Sequence, residues 1–363
     1  MLARALLFAN LTLLASVAAW GAEKPILNIY NWSDYIDPAL VEEFEQEYGI
    51  KVNYDIYDSS EIVDTKLLTG RTGYDVVVHS AAFSARLIPI GVYQSVDYSR
   101  LENWHHIDTK LIEKIQRNFG ENIAGVPYMW GTTGFAYNRD MVLERMPDAP
   151  LDSGAMLFDP AVVSRFADCG VSLLDDPTSV IPIAMMYLGH PANSVEPEHL
   201  ADVETLLKAV RPYIKYFSST KMMLDLPSRE VCIAMAWSGD YSIAASRAAE
   251  AGVEMDLRYT VPKQGATDWY DVMYIPSDAP HPDNAYLFLD FMLRPEVIAR
   301  ASNYIGYANA NRDATPLLDP EISSDPAIYP DAETMLRLEA SKVLSPKLER
   351  RRSRTWTKIK TGL

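Results

Sequence analysis

The sequence predicts an α/β protein of two lobes, each a mainly parallel sheet flanked by helices. Three observations lead there. The first hundred residues alternate strand-like and helix-like segments at the spacing of parallel α/β units. The chain has 363 residues, too many for one ordinary core. A segment rich in Gly, Thr and aromatics, GVPYMWGTTGFAYNRD from Gly125 to Asp140, then breaks the alternation and reads as extended chain crossing between lobes.

The elements follow in order. ILNIYNW is strand-like, and PALVEEFEQEYG is an amphipathic helix stopped by glycine. IKVNYDIYDS alternates as a strand does, and SEIVDTKLLTG is a helix that Ser59 or Ser60 caps. YDVVVHS is a continuous apolar run, the mark of a parallel strand buried on both faces. AFSARLIPIG starts another helix. After the crossing come FADCGVSLLDDP, the helices TSVIPIAMMYLG and PEHLADVETLLKAVRPYI, and the strand EVCIAMAW. MDLRYTVPKQGATDWYDVMYIPSDAP reads as two strands around a turn that return to the first lobe. NAYLFLDFMLRPEVIARAS is then a helix, and YIGYANANRDATPLL a further crossing. Ligands of such sheets bind at the carboxyl ends of strands. Trp32–Tyr35 and Ser80–Phe83 lie at such ends.

The chain opens MLARALLFANLTLLASVAAWGAEKP. One Arg, an apolar stretch from Ala5 to Leu14 and small residues make the layout of a secretory signal peptide, taken as residues 1–22. Losing Arg4 with it lowers the formal charge from −16 to −17. That acidity disfavours nucleic acid and favours cationic ligands. An exported chain meets an oxidising compartment, so the pair Cys169 and Cys232 reads as one disulfide. Neither cysteine has a Cys or His at metal-ligand spacing.

Catalytic templates are missing. There is no GxSxG elbow, Walker loop, GxGxxG or HExxH. His105–His106 with Asp108 is the best metal candidate, but adjacent loop residues rarely share a metal, and a solvated loop is the reading. The basic stretch Lys347–Lys360 reads as a solvated helix face with ion pairs. No enzyme, metal or cofactor is expected.

One pattern recurs. Trp32-Ser33-Asp34-Tyr35 returns as Trp237-Ser238-Gly239-Asp240-Tyr241 and as Trp269-Tyr270-Asp271. Three segments that end an apolar run with an indole and a carboxylate suggest one cleft. Such a cleft suits an organic polycation. An ammonium has three donors and no acceptor, and burying it is costly unless carboxylates meet it. Indole faces attract it and line its methylenes. Metal ions want oxygen clusters without indoles, and carboxylate ligands want an Arg clamp.

The chain resembles the periplasmic polyamine-binding proteins of ABC transporters, the putrescine and spermidine receptors. The likeness runs from IYNWSDYI to RTWTKIKTG and includes TGYDVVVHS, GVPYMWGTTGFAYN, CGVSLLDDP, RPYIKYF, YANAN and ATPLL. It implies a type II-like periplasmic binding fold whose two lobes close on ligand about a hinge. The lobes are expected over 23–131 with 252–302, and over 132–251 with 303–363. The resemblance implies a first-lobe wall of Trp32, Ser33, Asp34, Tyr35, Ser80 and Phe83. It adds Trp237, Asp240, Trp269, Asp271 and Tyr307, and a disulfide between Cys169 and Cys232. It implies a monomer that delivers polyamine to a membrane ABC permease. A receptor for another cationic amine such as agmatine, or a sensor that signals through a membrane partner, is the alternative.

The chain departs from the family pattern in three places. Ser179 stands where the putrescine receptors carry Glu, with Asp175 and Asp176 nearby as substitutes. Trp269 stands where those receptors tend to carry Phe. His79 replaces the usual Pro before the site serine. The shorter Ser179 leaves room for a longer ligand, so spermidine is expected to bind at least as well as putrescine.

Overall fold

The computed structural model describes residues 25–342 and 344–362. The signal peptide expected over residues 1–22 lies outside them. Among the described residues eleven strands form the frame: β1 Ile26–Trp32, β2 Lys51–Tyr57, β3 Val76–Ser80, β4 Val126–Asn138, β5 Val171–Leu173, β6 Ile214–Phe217, β7 Ile233–Trp237, β8 Leu257–Thr260, β9 Ala266–Tyr274, β10 Ala308–Asn309 and β11 Leu338–Ala340. Their order is β2-β1-β3-β9-β4-β7-β5-β6, with β8 and β10 also on β4, and β11 on β9.

The start of the chain folds locally as its pattern dictates. Asp37 and Ser59 cap the helices Pro38–Tyr48 and Ser60–Thr69 with their side chains, and Gly49 closes the first in the left-handed conformation. Val76, Val77 and Val78 of β3 are all buried, as a strand covered on both faces requires. The segment after β3 differs from expectation. It holds only the short helix Ala81–Ser84 before the turn Ile88–Ile90, because Pro89 cannot donate to a continuing helix.

β4 is the crossing. Val126–Thr132 pairs with β9, while Thr133–Asn138 pairs with β7 and β8. One 13-residue strand therefore carries both lobes. The sheets are mixed. β2, β1 and β3 run parallel, as do β6, β5 and β7, but β9 is antiparallel to β3 and to β4. Separate cores pack on each side: one around Phe44, Phe288 and Phe291, another around Phe158, Phe166 and Met185.

Two pairings cross the expected lobe boundaries. β8 lies beyond the boundary expected at 252 yet pairs with the second half of β4. Ile305, Tyr307 and Ala310, expected in the second lobe, pack in the first core, and β10 pairs with Met129 and Trp130. The two strands expected around a turn in MDLRYTVPKQGATDWYDVMYIPSDAP form as β8 and β9, but both pair with β4 rather than with each other. The helix expected over NAYLFLDFMLRPEVIARAS is two, Pro282–Met292 and Pro295–Ile305. Pro295 forces Arg294 out of the helical region and starts the second. Cys169 and Cys232 form a disulfide, their Cα atoms 5.5 Å apart, which ties the start of β5 to the start of β7.

The basic stretch forms the helix Pro346–Thr361. It is amphipathic rather than wholly solvated: Trp356 and Ile359 are buried, while Lys358 and Lys360 pair with Glu204 and Asp175. Among the described residues, no helix is long and apolar enough to cross a membrane. His106 pairs with Asp313, and His105 contacts the Glu102 carbonyl.

Candidate functional site

A cavity of about 150 Å³ opens where β4 and β9 carry the chain between the lobes. A cavity of that size holds a molecule like benzene. The strand ends supply its walls. β1 delivers Trp32, after which the chain turns through Asp34, held in the left-handed region at φ 54°. β3 delivers Ser80, directly opposite Asp271 of β9. β7 delivers Trp237, and the helix Ser238–Glu250 starts at once, placing Asp240 in its first turn.

Two carboxylates lie deep in this cavity. Asp271 accepts the Tyr35 hydroxyl at 2.8 Å. Asp240 accepts the Tyr307 hydroxyl at 2.7 Å through Oδ1, while its Oδ2 is buried with no hydrogen-bond partner among the described residues. Burial pushes both carboxyls up to about 7, against the pull of their tyrosine donors. For Asp240, Arg247 also pulls down and Asp34 pushes up. Among the described residues, no Lys, Arg or His makes an ion pair with either acid. Neither buried acid of the cleft thus has a cationic partner among the described residues.

Aromatic rings surround them. Trp269 meets Tyr307 edge-on, with centroids 5.2 Å apart, and Tyr35 meets Tyr307 at 5.4 Å. The indole N–H groups of Trp32 and Trp269 are buried without hydrogen-bond partners among the described residues. The Trp32 indole N–H, like the Tyr35 hydroxyl, favours the ionised form of Asp271. Two glycines admit this packing. A Cβ at Gly239 would sit 2.2 Å from the Tyr307 ring, and one at Gly131 would sit 2.5 Å from Trp269. Buried, cation-free carboxylates faced by indoles are what an organic ammonium needs.

The chain matches the model of the bacterial extracellular solute-binding proteins over residues 39–330. The chain belongs to this family. It is 42% identical over 355 residues to the putrescine-binding periplasmic protein of Pseudomonas aeruginosa, covering 97% of each chain. It is 42% identical over 358 residues to the putrescine-binding periplasmic protein of Escherichia coli, covering 98% of this chain and 97% of that one. The structure superposes on a putative spermidine/putrescine ABC transporter protein of Listeria monocytogenes with TM-score 0.83. The two are 32% identical, over 93% of this chain and 99% of that one. Solute-binding family membership fits the two-lobed architecture.

Against that family frame, each expected site residue has a definite place. Trp32, Ser33, Asp34, Tyr35, Ser80, Phe83, Trp237, Asp240, Trp269, Asp271 and Tyr307 all line the one cavity. Asp34 sits nearer the mouth, 3.6 Å from Arg247 across the cleft. Asp176 and Ser179 also line it, but their polar atoms are occupied. Asp176 caps the helix Pro177–Tyr187 and accepts from Thr178 N and from Ser179 Oγ at 2.7 Å. Ser179 Oγ in turn accepts the Trp237 indole N–H at 3.3 Å, so it serves to hold that ring. Asp175 is outside the cavity, bound to Trp356 Nε1 and Lys360. His79 is fully buried and neutral, pushed down to about 3 by burial, with Nδ1 2.8 Å from the Tyr93 hydroxyl.

Sequence reasoning missed Asp268 and Tyr270. Both line the cavity. The signal was present, since Asp268 directly precedes the Trp269-Tyr270-Asp271 triplet. Its strand-period offset from Asp271 pointed away from the cleft, and the access comes where β9 lacks a neighbour on one side, between Ser80 opposite Asp271 and Ala340 opposite Asp268.

Proposed function

We propose that this chain is a periplasmic receptor that captures linear polyamines, putrescine or spermidine, and delivers them to a membrane ABC permease. It acts as a monomer and does no chemistry on its ligand. One observation carries the reading: Asp240 and Asp271 are buried in one cleft, each finished by a single tyrosine and neither by a cation. An ammonium at each would supply the missing charge, and Trp237 and Trp269 would cover the methylenes between. The cleft lies between two lobes joined by β4, so ligand touching both would favour their closed arrangement. The relatives named above, periplasmic and putrescine-binding, support the same assignment.

Titration calorimetry of the purified chain against putrescine, spermidine, agmatine and cadaverine tests it. Saturable binding of a polyamine is expected, with a smaller radius of gyration by scattering at saturation. Heats of dilution alone for every amine would end the proposal.

A further inference from the structure

The cavity does not stop at Asp271. On the side of β9 away from β4, β3 ends at Ser80, opposite Asp271. β11 ends at Ala340, opposite Asp268. Trp269 and Tyr270 therefore have no strand beside them on that side. Alternate strand residues point to opposite faces, so Asp268 and Tyr270 project away from Trp269 and Asp271. All four nevertheless line one cavity, together with Phe83 and Phe119. The gap in the sheet lets the cavity pass from one face of β9 to the other.

At the far end Asp268 is unfinished. Its side chain is fully buried. One oxygen, Oδ2, accepts the Tyr270 hydroxyl at 2.5 Å and pairs with the Lys114 ammonium. The other, Oδ1, is buried with no hydrogen-bond partner among the described residues. An acceptor in that condition calls for a donor. The rings of Tyr270 and Phe119, 6.3 Å apart, border the same passage as apolar walls.

We infer that Asp268 is a third anchor of this cleft, whose Oδ1 accepts from a further amine of the ligand, so that a linear triamine is held in preference to a diamine. The inference rests on the polyamine reading above. Asp268 and Asp271 are three residues apart on extended chain, roughly 10 Å. A diamine places its two ammoniums at Asp240 and Asp271 and has none left for Asp268, whereas a triamine has a third amine to offer it. Lys114 already balances one charge, so the third contact is a directional hydrogen bond more than a full ion pair. This also answers the Ser179 departure: the longer ligand finds its acid through the sheet gap, not at the Asp175–Ser179 turn.

The experiment is calorimetry of the full chain and two variants against putrescine and spermidine, read as the ratio of their affinities. The parent is expected to favour spermidine by about tenfold, the scale of a hydrogen bond to a charged group. Asp268→Asn is expected to lower that ratio by about tenfold. Lys114→Gln, which frees the Asp268 charge, is expected to raise it. A parent that favours putrescine overturns the inference. So does an unchanged ratio in Asp268→Asn, or, if that variant fails to fold, an unchanged or lowered ratio in Lys114→Gln. Binding of neither amine to the parent overturns the receptor reading itself, and this inference with it.

Discussion

The deep pair Asp240 and Asp271 and the turn Asp175–Ser179 use the same kinds of residue, yet only one of them is incomplete. At the turn, Asp176 receives Thr178 N, Thr178 Oγ1 and Ser179 Oγ within 2.8 Å, and Asp175 receives an indole N–H and a lysine. Those acids are finished by the protein and have little left for a ligand. In the deep cleft each acid has one tyrosine and no cation, and burial lifts its carboxyl to about 7. The contrast teaches that acid content does not define a cation site. What defines it is burial without compensation, which the fold tolerates where a ligand completes it.

The sharpest way to break this contrast is to neutralise the deep acids. Asp271→Asn and Asp240→Asn each leave an ammonium stranded in a low-dielectric cleft, a loss of about 3–5 kcal/mol in binding. Asp175→Asn, by comparison, is expected to leave affinity unchanged within experimental error. Calorimetry on the three variants reads both sides. A deep variant that binds as well as Asp175→Asn would erase the distinction.

Acidity should separate the two regions next. Both deep carboxyls sit near 7 without ligand, and an ammonium holds them ionised. Binding therefore releases protons, and affinity is expected to fall as pH drops below about 7, by up to about tenfold per unit for each carboxyl. Stability of the ligand-free chain runs the other way. A carboxyl whose folded value is raised disfavours folding once ionised. These two groups thus make the free protein more stable as pH falls from about 7 toward 4. Proton release on binding, measured by calorimetry in buffers of different ionisation enthalpy, checks the first sign. Thermal melts across that range check the second.

The smallest effect belongs to the turn. Asp176→Ala removes a helix cap and is expected to cost about 1 kcal/mol of stability. It also frees Ser179, and through it the Trp237 ring, so ligand affinity should fall only by the loss of that positioning. Chemical denaturation and calorimetry on one variant separate the two. A loss of binding as large as that of Asp271→Asn would make the turn part of the charge site after all.

The alternation of strands and helices, the crossing at Gly125–Asp140 and the indole–aspartate segments that meet in the cleft are legible in the chain before it folds. These are local patterns, set by periodicity, caps and the composition of a few adjacent residues. The linear pattern did not reveal that Pro295 splits one helix into two while Leu257–Thr260 joins the other sheet, since strand partners are chosen across the whole chain. Above all it did not reveal which aspartates are left incomplete. Asp175, Asp176, Asp240, Asp268 and Asp271 all follow apolar runs or border aromatics and look alike in one dimension. Their donors come from afar: Tyr35 reaches Asp271 across 236 residues, Tyr307 reaches Asp240 across 67, and Lys360 reaches Asp175 across 185. Tertiary structure alone decides which carboxylate is satisfied, because satisfaction depends on partners that no local stretch contains.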